Sequence, residues 1–349
     1  MVMSAKSKSI VTNALALGLV AGAVGLLVLK HYQSVDTDAK VKLLNVSYDP
    51  TRELYAQLNP RFAAQYKKET GESVAIEQSH GGSSRQARSV AEGTEAADVV
   101  TLALPSDIDN LRARGMVADD WRSFFPNHSQ PYYSTIVFVV RKGNPRNIHD
   151  WTDLAGSGIE VVTPNFHSSG NGKLSMLAAW GSVINRGGTE AQALDLVTRI
   201  YRNVSHQGGG ARDAGTTFEL AKEGDVQLTW ENEGIREAAE SPGELDIVYP
   251  PVSIRAEPSV AVVTTNVAKH HTEAAARAYL NFLFSDEAQE ILAEDGYRPR
   301  NADILSRHQN LLPSIALFSI TTIARDWNDA QEKFFGDNGL FNTIHTGTH

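Results

Sequence analysis

From residue 41 onward, short β-branched runs alternate with longer stretches whose apolar residues recur every three or four positions. LLNVS is followed by an amphipathic segment over 51–70, VAIEQ by one over 85–92, and DVVTLAL by one over 107–114. Period-two runs bounded by turn residues predict strands and a period near 3.6 predicts helices, so the pattern predicts an α/β fold. A long β-branched stretch over 134–145 interrupts the series. IEVVTP, helices over 173–183 and 191–201, and DVQLTW then repeat the alternation. A second extended run, 257–267, precedes helices over 272–284 and 286–294. Two extended segments flanking a complete α/β unit predict a chain that crosses from one lobe to another and returns. On this division, 40–132 plus 260–349 form the first lobe and 133–259 the second.

The N-terminus breaks the pattern. Lys6 and Lys8 precede the uncharged run ALALGLVAGAVGLLVL, residues 14–29, closed by Lys30. A helix apolar on every face behind two lysines is expected to be an export signal or an uncleaved membrane anchor. Residues 1–39 are therefore set apart from the fold, and a periplasmic location is expected.

At 349 residues, with 42% apolar and 21% charged residues, the remainder is long enough for two lobes with separate cores. Acidic residues outnumber basic ones, 41 to 32, for a formal charge of −9, and no dense Lys/Arg block occurs. Nucleic acid is not an expected partner. Cysteine is absent, which excludes disulfides, thiolate catalysis, Cys-ligated zinc and a lipid-modified N-terminal cysteine.

Candidate chemistry gathers where predicted strands hand over to helices through small residues: SYDPTREL, SHGGSS, TPNFHSSGNGKL and HQGGGARDAGTTF. The first N–H groups of a helix lack intrahelical partners and its dipole is positive there, so such turns suit anions. Each also has a plainer explanation, since Asp before Pro caps helices and Gly and Ser form ordinary turns. Nucleotide motifs fail: a P-loop ending at Gly172-Lys173 meets His167 and Leu174 where Gly and Ser/Thr belong, and a dinucleotide fingerprint from Gly208 reaches Asp213. Ser83 and His80 could serve as nucleophile and base of a hydrolase, but no G-x-S-x-G elbow accompanies them. A loop-fixing role suits His80 better, and His270-His271 reads as solvated surface. Trp230, closing DVQLTW, offers an indole donor or simple core packing.

Taken in order, LLNVSYDPTRELY, IEQSHGGSSRQA, DVVTLAL, YYSTIVFVVRKGNPRNIHDWTDL, TPNFHSSGNGKL, GGGARDAGTTF, TWENE, AEPSVAVV and YRPRN resemble the periplasmic sulfate-binding proteins that feed ABC importers. The resemblance runs from about residue 42 to the C-terminus. It implies a type II periplasmic binding protein fold, two α/β lobes joined by extended crossover segments that close on a dehydrated oxyanion. Carried over residue by residue, the sulfate donors would be the backbone N–H of Asp49, the Ser83 hydroxyl, the backbone N–H groups of Ser169, Gly170, Asn171 and Ala211, and the Trp230 indole. The Asp49 carboxylate would turn outward. Asn171 stands where the family often has glycine, and Asp213, beside Arg212, adds a negative charge that this arginine could neutralise. The resemblance further implies a monomeric, non-enzymatic binder of sulfate, with thiosulfate as the alternative, that partners an inner-membrane ABC permease and holds no metal or cofactor.

Overall fold

The computed structural model describes residues 39–344, so the apolar run expected to direct export lies outside the described residues. Strand β1 (Val41–Tyr48) runs parallel to β2 (Val74–Gly81) and β3 (Val99–Leu102). Helices α1 (Arg52–Thr70), α2 (Ser83–Ala91) and α3 (Pro105–Ala113) follow them in turn. β3 is buried along its whole length, and the apolar residues of β1 and β2 lie between covered sheet faces. Leu54, Leu58 and Phe62 of α1 pack one face, together with Tyr279 and Phe282 from later in the chain.

The chain then crosses through β4 (Tyr132–Tyr133) into β5 (Ile136–Arg141). A second sheet assembles from β6 (Val161–Pro164), β7 (Val204–Gly208), β8 (Val226–Trp230) and β9 (Leu245–Val248), in the order β7-β6-β8-β5-β9. Helix α4 (Gly170–Ile184) leaves β6, α5 (Glu190–Arg202) leads into β7, α6 (Ala211–Glu219) leaves β7, and α7 (Glu231–Glu240) leaves β8. After β10 (Val252–Ile254) the chain returns as β11 (Ser259–Val262), which joins the first sheet antiparallel to β3 in the order β11-β3-β1-β2. Helices over Thr264–His270, Glu273–Phe282 and Asp286–Glu294 then cover that sheet. The outbound and return crossovers lie side by side: Ser134 and Ala256 exchange N–H···O=C bonds of 3.0 and 2.9 Å.

Two expectations are adjusted. The run over 257–267 is extended only as far as Val263, because Thr264 begins a helix. The C-terminal stretch, grouped by sequence with the first lobe, packs against the second. Strand β12 (Arg298–Pro299) still pairs with β4, but β13 (Ala316–Phe318) pairs parallel with β10. Beyond it, Trp327, Phe334 and Phe341 enter the core of the second sheet around Trp180. Trp180 and Phe334 stand edge to face at 5.1 Å between centroids, and Phe334 stacks on Phe341 at 4.9 Å. Aromatic pairs of this geometry contribute about 0.5–1.5 kcal/mol each beyond the area they bury. The physical reason is that α4 is apolar nearly all round, so its outer face needs a cover and the tail supplies one. Among the described residues no helix is long and apolar enough to cross a membrane.

Candidate functional site

The strand-to-helix turns of both sheets open toward one another across the gap between the lobes. β1 delivers Asp49 to the first position of a single 3-10 turn, Asp49–Thr51, with Pro50 next. Its N–H therefore has no partner inside the turn. The turn is braced from behind: Thr51 Oγ1 donates to Tyr48 O at 2.7 Å and lies 2.6 Å from Ser47 Oγ. On the second lobe, Gly170 and Asn171 occupy the first two positions of α4, and Ala211 the first of α6. Their N–H groups point out of the helix ends for the same reason. The Asn171 side chain turns away, donating to Leu228 O at 3.2 Å, and so leaves its own N–H clear.

Contact between the lobes is close, and glycines at Gly82, Gly210 and Gly170 permit it. A Cβ on Gly82 would sit 2.4 Å from Ser168 O, and one on Gly210 would sit 1.9 Å from Asp49 Oδ2. No side chain fits at either position. A third close approach is at Gly170, where a Cβ would lie 2.5 Å from that of Ala103 and 3.4 Å from that of Ser83. Arg85 N–H donates to Ser168 O at 3.3 Å, and the Trp230 and Tyr48 rings lie 5.3 Å apart across the gap. At the rim, Arg212 of the second lobe forms a paired hydrogen bond with Glu53 of the first, at 3.0 and 2.8 Å. Trp230 is buried at the end of β8.

The sequence-derived site residues thus converge, with differences in four of their details. Ser83 Oγ donates to Asp107 Oδ2 at 2.6 Å and accepts the Ala103 N–H at 3.0 Å, so its proton faces a carboxylate. The Ser169 N–H, expected to face the anion, donates instead to Asn165 O at 3.0 Å, because the loop before α4 closes its own turn. The Asp49 carboxylate does not turn outward: it is buried against Gly210, with Arg52 at 3.6 Å. Burial raises its pKa from the ordinary carboxylate value, and Arg52, Arg85 and Arg212 offset part of that rise. Asp213 is not neutralised by Arg212. It accepts the Gly209 N–H at 2.7 Å, while Arg212 pairs with Glu53 and Glu233.

Ser83 and His80 do not form a nucleophile–base pair. His80 Nδ1 faces Thr51 Oγ1 at 3.5 Å, while Ser83 faces Asp107. Burial, reinforced by Arg52, lowers the imidazole pKa to about 4, so it is neutral at physiological pH and braces the Asp49 turn. Sequence reasoning missed Asp107 and Lys173. Asp107 is one of many helix-start acids, and Lys173 looked like the lysine of a failed P-loop. Both are buried behind the turns, with Lys173 Nζ 3.9 Å from Asp107 Oδ1.

Comparison with known proteins decides what kind of cleft this is. A family described as bacterial extracellular solute-binding protein matches residues 44–298. The chain belongs to that family. This solute-binding protein is 47% identical over 306 residues to the sulfate-binding protein of Escherichia coli, covering 87% of the chain and 93% of the relative. It is 45% identical over 306 residues to the thiosulfate-binding protein of Pseudomonas aeruginosa, covering 87% and 92%. Among solved structures, the sulfate-binding protein SubI from Mycobacterium tuberculosis superposes with a TM-score of 0.77 at 31% identity, covering 84% of this chain and 99% of SubI. The ferric binding protein of Campylobacter jejuni shares the fold, with a TM-score of 0.58 at 16% identity. The two-lobed α/β architecture is thus that of the type II periplasmic solute-binding proteins.

Proposed function

We propose that this solute-binding protein captures sulfate between its lobes in the periplasm and delivers it to an inner-membrane ABC permease, acting as a monomeric binder and not as an enzyme. The observation that carries this is the meeting of partnerless helix-start N–H groups from both lobes at one closed gap. The relatives named for sulfate support it. The proposed donors are the N–H groups of Asp49, Gly170, Asn171 and Ala211, the Trp230 indole and the Ser83 hydroxyl. Ser169 serves as the cap of α4, its carbonyl accepting the Lys173 N–H at 3.2 Å.

These donors are neutral, which accounts for dianion binding by a chain of charge −9. Sulfate at neutral pH has no proton and only accepts hydrogen bonds, so a set of donors satisfies it. None of these donors can accept the O–H of protonated phosphate, which costs about 1–3 kcal/mol where it stays unpaired. Thiosulfate is the second reading. It too is unprotonated, and a relative at 45% identity carries its name. The unpaired Ser83 and His80 count against a sulfate-ester or phosphate-ester hydrolase.

Isothermal titration calorimetry with sulfate, thiosulfate and phosphate in one buffer tests the assignment. The expected result is one sulfate per chain with phosphate silent at the same concentration. Absence of sulfate binding, or equal binding of phosphate, would contradict it. An aryl-sulfate turnover assay should stay at the buffer rate.

A further inference from the structure

Ser83 has a single hydroxyl proton, and two groups already bond its oxygen. Its Oγ lies 2.6 Å from Asp107 Oδ2 and accepts the Ala103 N–H, while Ser84 Oγ donates to Asp107 Oδ1 at 3.0 Å. An ionised carboxylate only accepts, and a hydroxyl donates once. Ser83 therefore cannot donate to Asp107 and to a bound anion at the same time. If it turns to the anion, the buried Asp107 loses a donor, which is costly inside a protein unless another replaces it.

A replacement stands on the opposite lobe. Lys173, in the first turn of α4, is buried and hydrogen-bonds the Gln331 Oε1 at 2.9 Å. Its Nζ is 3.9 Å from Asp107 Oδ1, beyond hydrogen-bond length but within reach of a small side-chain movement. Its ammonium is buried with one neutral acceptor, and burial lowers its pKa while Asp107 opposes that change. The three groups span the cleft: Ser83 and Asp107 belong to α2 and α3 of the first lobe, and Lys173 to α4 of the second.

Building on the sulfate assignment above, we propose that Asp107 is a positioning residue that holds the Ser83 proton until an anion takes it, with Lys173 moving onto Asp107 as the new donor. The exchange conserves protons. Ser83 keeps its O–H and redirects it, Lys173 adds an N–H···O bond to Asp107, and nothing is taken up or released. Sulfate ligation by Ser83 is thereby tied to a contact between the lobes.

The test is calorimetric titration of the full chain with sulfate, comparing Asp107→Asn, Lys173→Gln, Ser83→Ala and the doubles of the first two with Ser83→Ala, each checked for folding by circular dichroism. An asparagine amide competes weakly for the Ser83 proton and can itself donate to Oγ. Asp107→Asn should therefore bind sulfate more tightly, and Lys173→Gln more weakly, each by roughly 10-fold, the scale of one hydrogen bond to a charged group. Both effects should vanish in the Ser83→Ala background, whereas simple charge attraction or repulsion would persist there. Repeating the wild-type titration in buffers of different ionisation enthalpy should show no proton uptake. Weaker binding by Asp107→Asn, effects of equal size without the Ser83 hydroxyl, or uptake of about one proton would overturn the proposal. Lys173→Gln leaves the Ser83–Asp107 pair intact and decides the matter should Asp107→Asn fail to fold. Failure of the unmodified protein to bind sulfate would reject the functional assignment itself, a result distinct from any of these.

Discussion

Ser83 and Trp230 are proposed as different donors to one anion, a hydroxyl and an indole, and each can be replaced by a side chain of similar shape. Hydrogen bonds to a charged group contribute about 1.5–3 kcal/mol, so Ser83→Ala and Trp230→Phe should each weaken sulfate binding by roughly 10- to 150-fold. Arg85→Gln should cost much less, since its guanidinium lies over Gly81 and Gly209 and serves Asp49 as a distant counter-charge. Calorimetry on the three variants checks this ordering, and a larger loss from Arg85→Gln would make the cleft an ion-pair site. A second residue-scale effect concerns Glu237, fully buried on α7, where burial pushes the carboxyl pKa up to about 8. Between its ordinary value near 4.5 and about 8, the folded chain holds this proton while the unfolded chain releases it. Its contribution to stability is therefore fully present below pH 4.5 and is lost as pH rises through 8. Glu237→Gln should melt close to the wild type at pH 5 and above it at pH 8. An unchanged difference between the two pH values in thermal melts would refute this. The strand-to-helix turns themselves could be named from glycine, serine and helix-start patterns, because such patterns are local. The Ser83–Asp107 bond could not, since it joins residues 24 positions apart that only tertiary packing brings together.

At the scale of elements, the turns proposed to face the anion meet because glycine lets the two lobes approach. Gly210→Ala would place a methyl group against the Asp49 carboxylate and hold the lobes apart. An overpacking cost of about 1–3 kcal/mol corresponds to sulfate affinity roughly 5- to 150-fold weaker, with the stability of the open form little changed. Calorimetry paired with urea unfolding separates the two effects. Strands and helices were largely legible from periodicity: the expected helix over 286–294 matches Asp286–Glu294, and that over 191–201 falls within one residue of Glu190–Arg202. The aromatic tail was not. Its apolar residues announce burial, but apolar spacing does not say which lobe a segment covers, and a third passage of the chain carries it to β10 and Trp180. Phe334→Ala should accordingly destabilise the second lobe by about 3–5 kcal/mol. Loss of stability on that scale, read from urea midpoints, would confirm that the tail is part of the core, and a change under 1 kcal/mol would not fit.

Across the whole molecule, two sheets with separate cores are joined by neighbouring extended segments, and the contacts that close the cleft come equally from both sides. Such an arrangement permits hinge motion, and the donors proposed for sulfate are complete only when the lobes are closed. The ligand therefore shifts the population toward the closed form by as much as it prefers that form. Small-angle X-ray scattering of the purified protein, titrated with sulfate, tests this directly. The account predicts a radius of gyration that falls and then stops changing at one sulfate per chain. A profile that stays the same while calorimetry shows sulfate bound would contradict capture between the lobes.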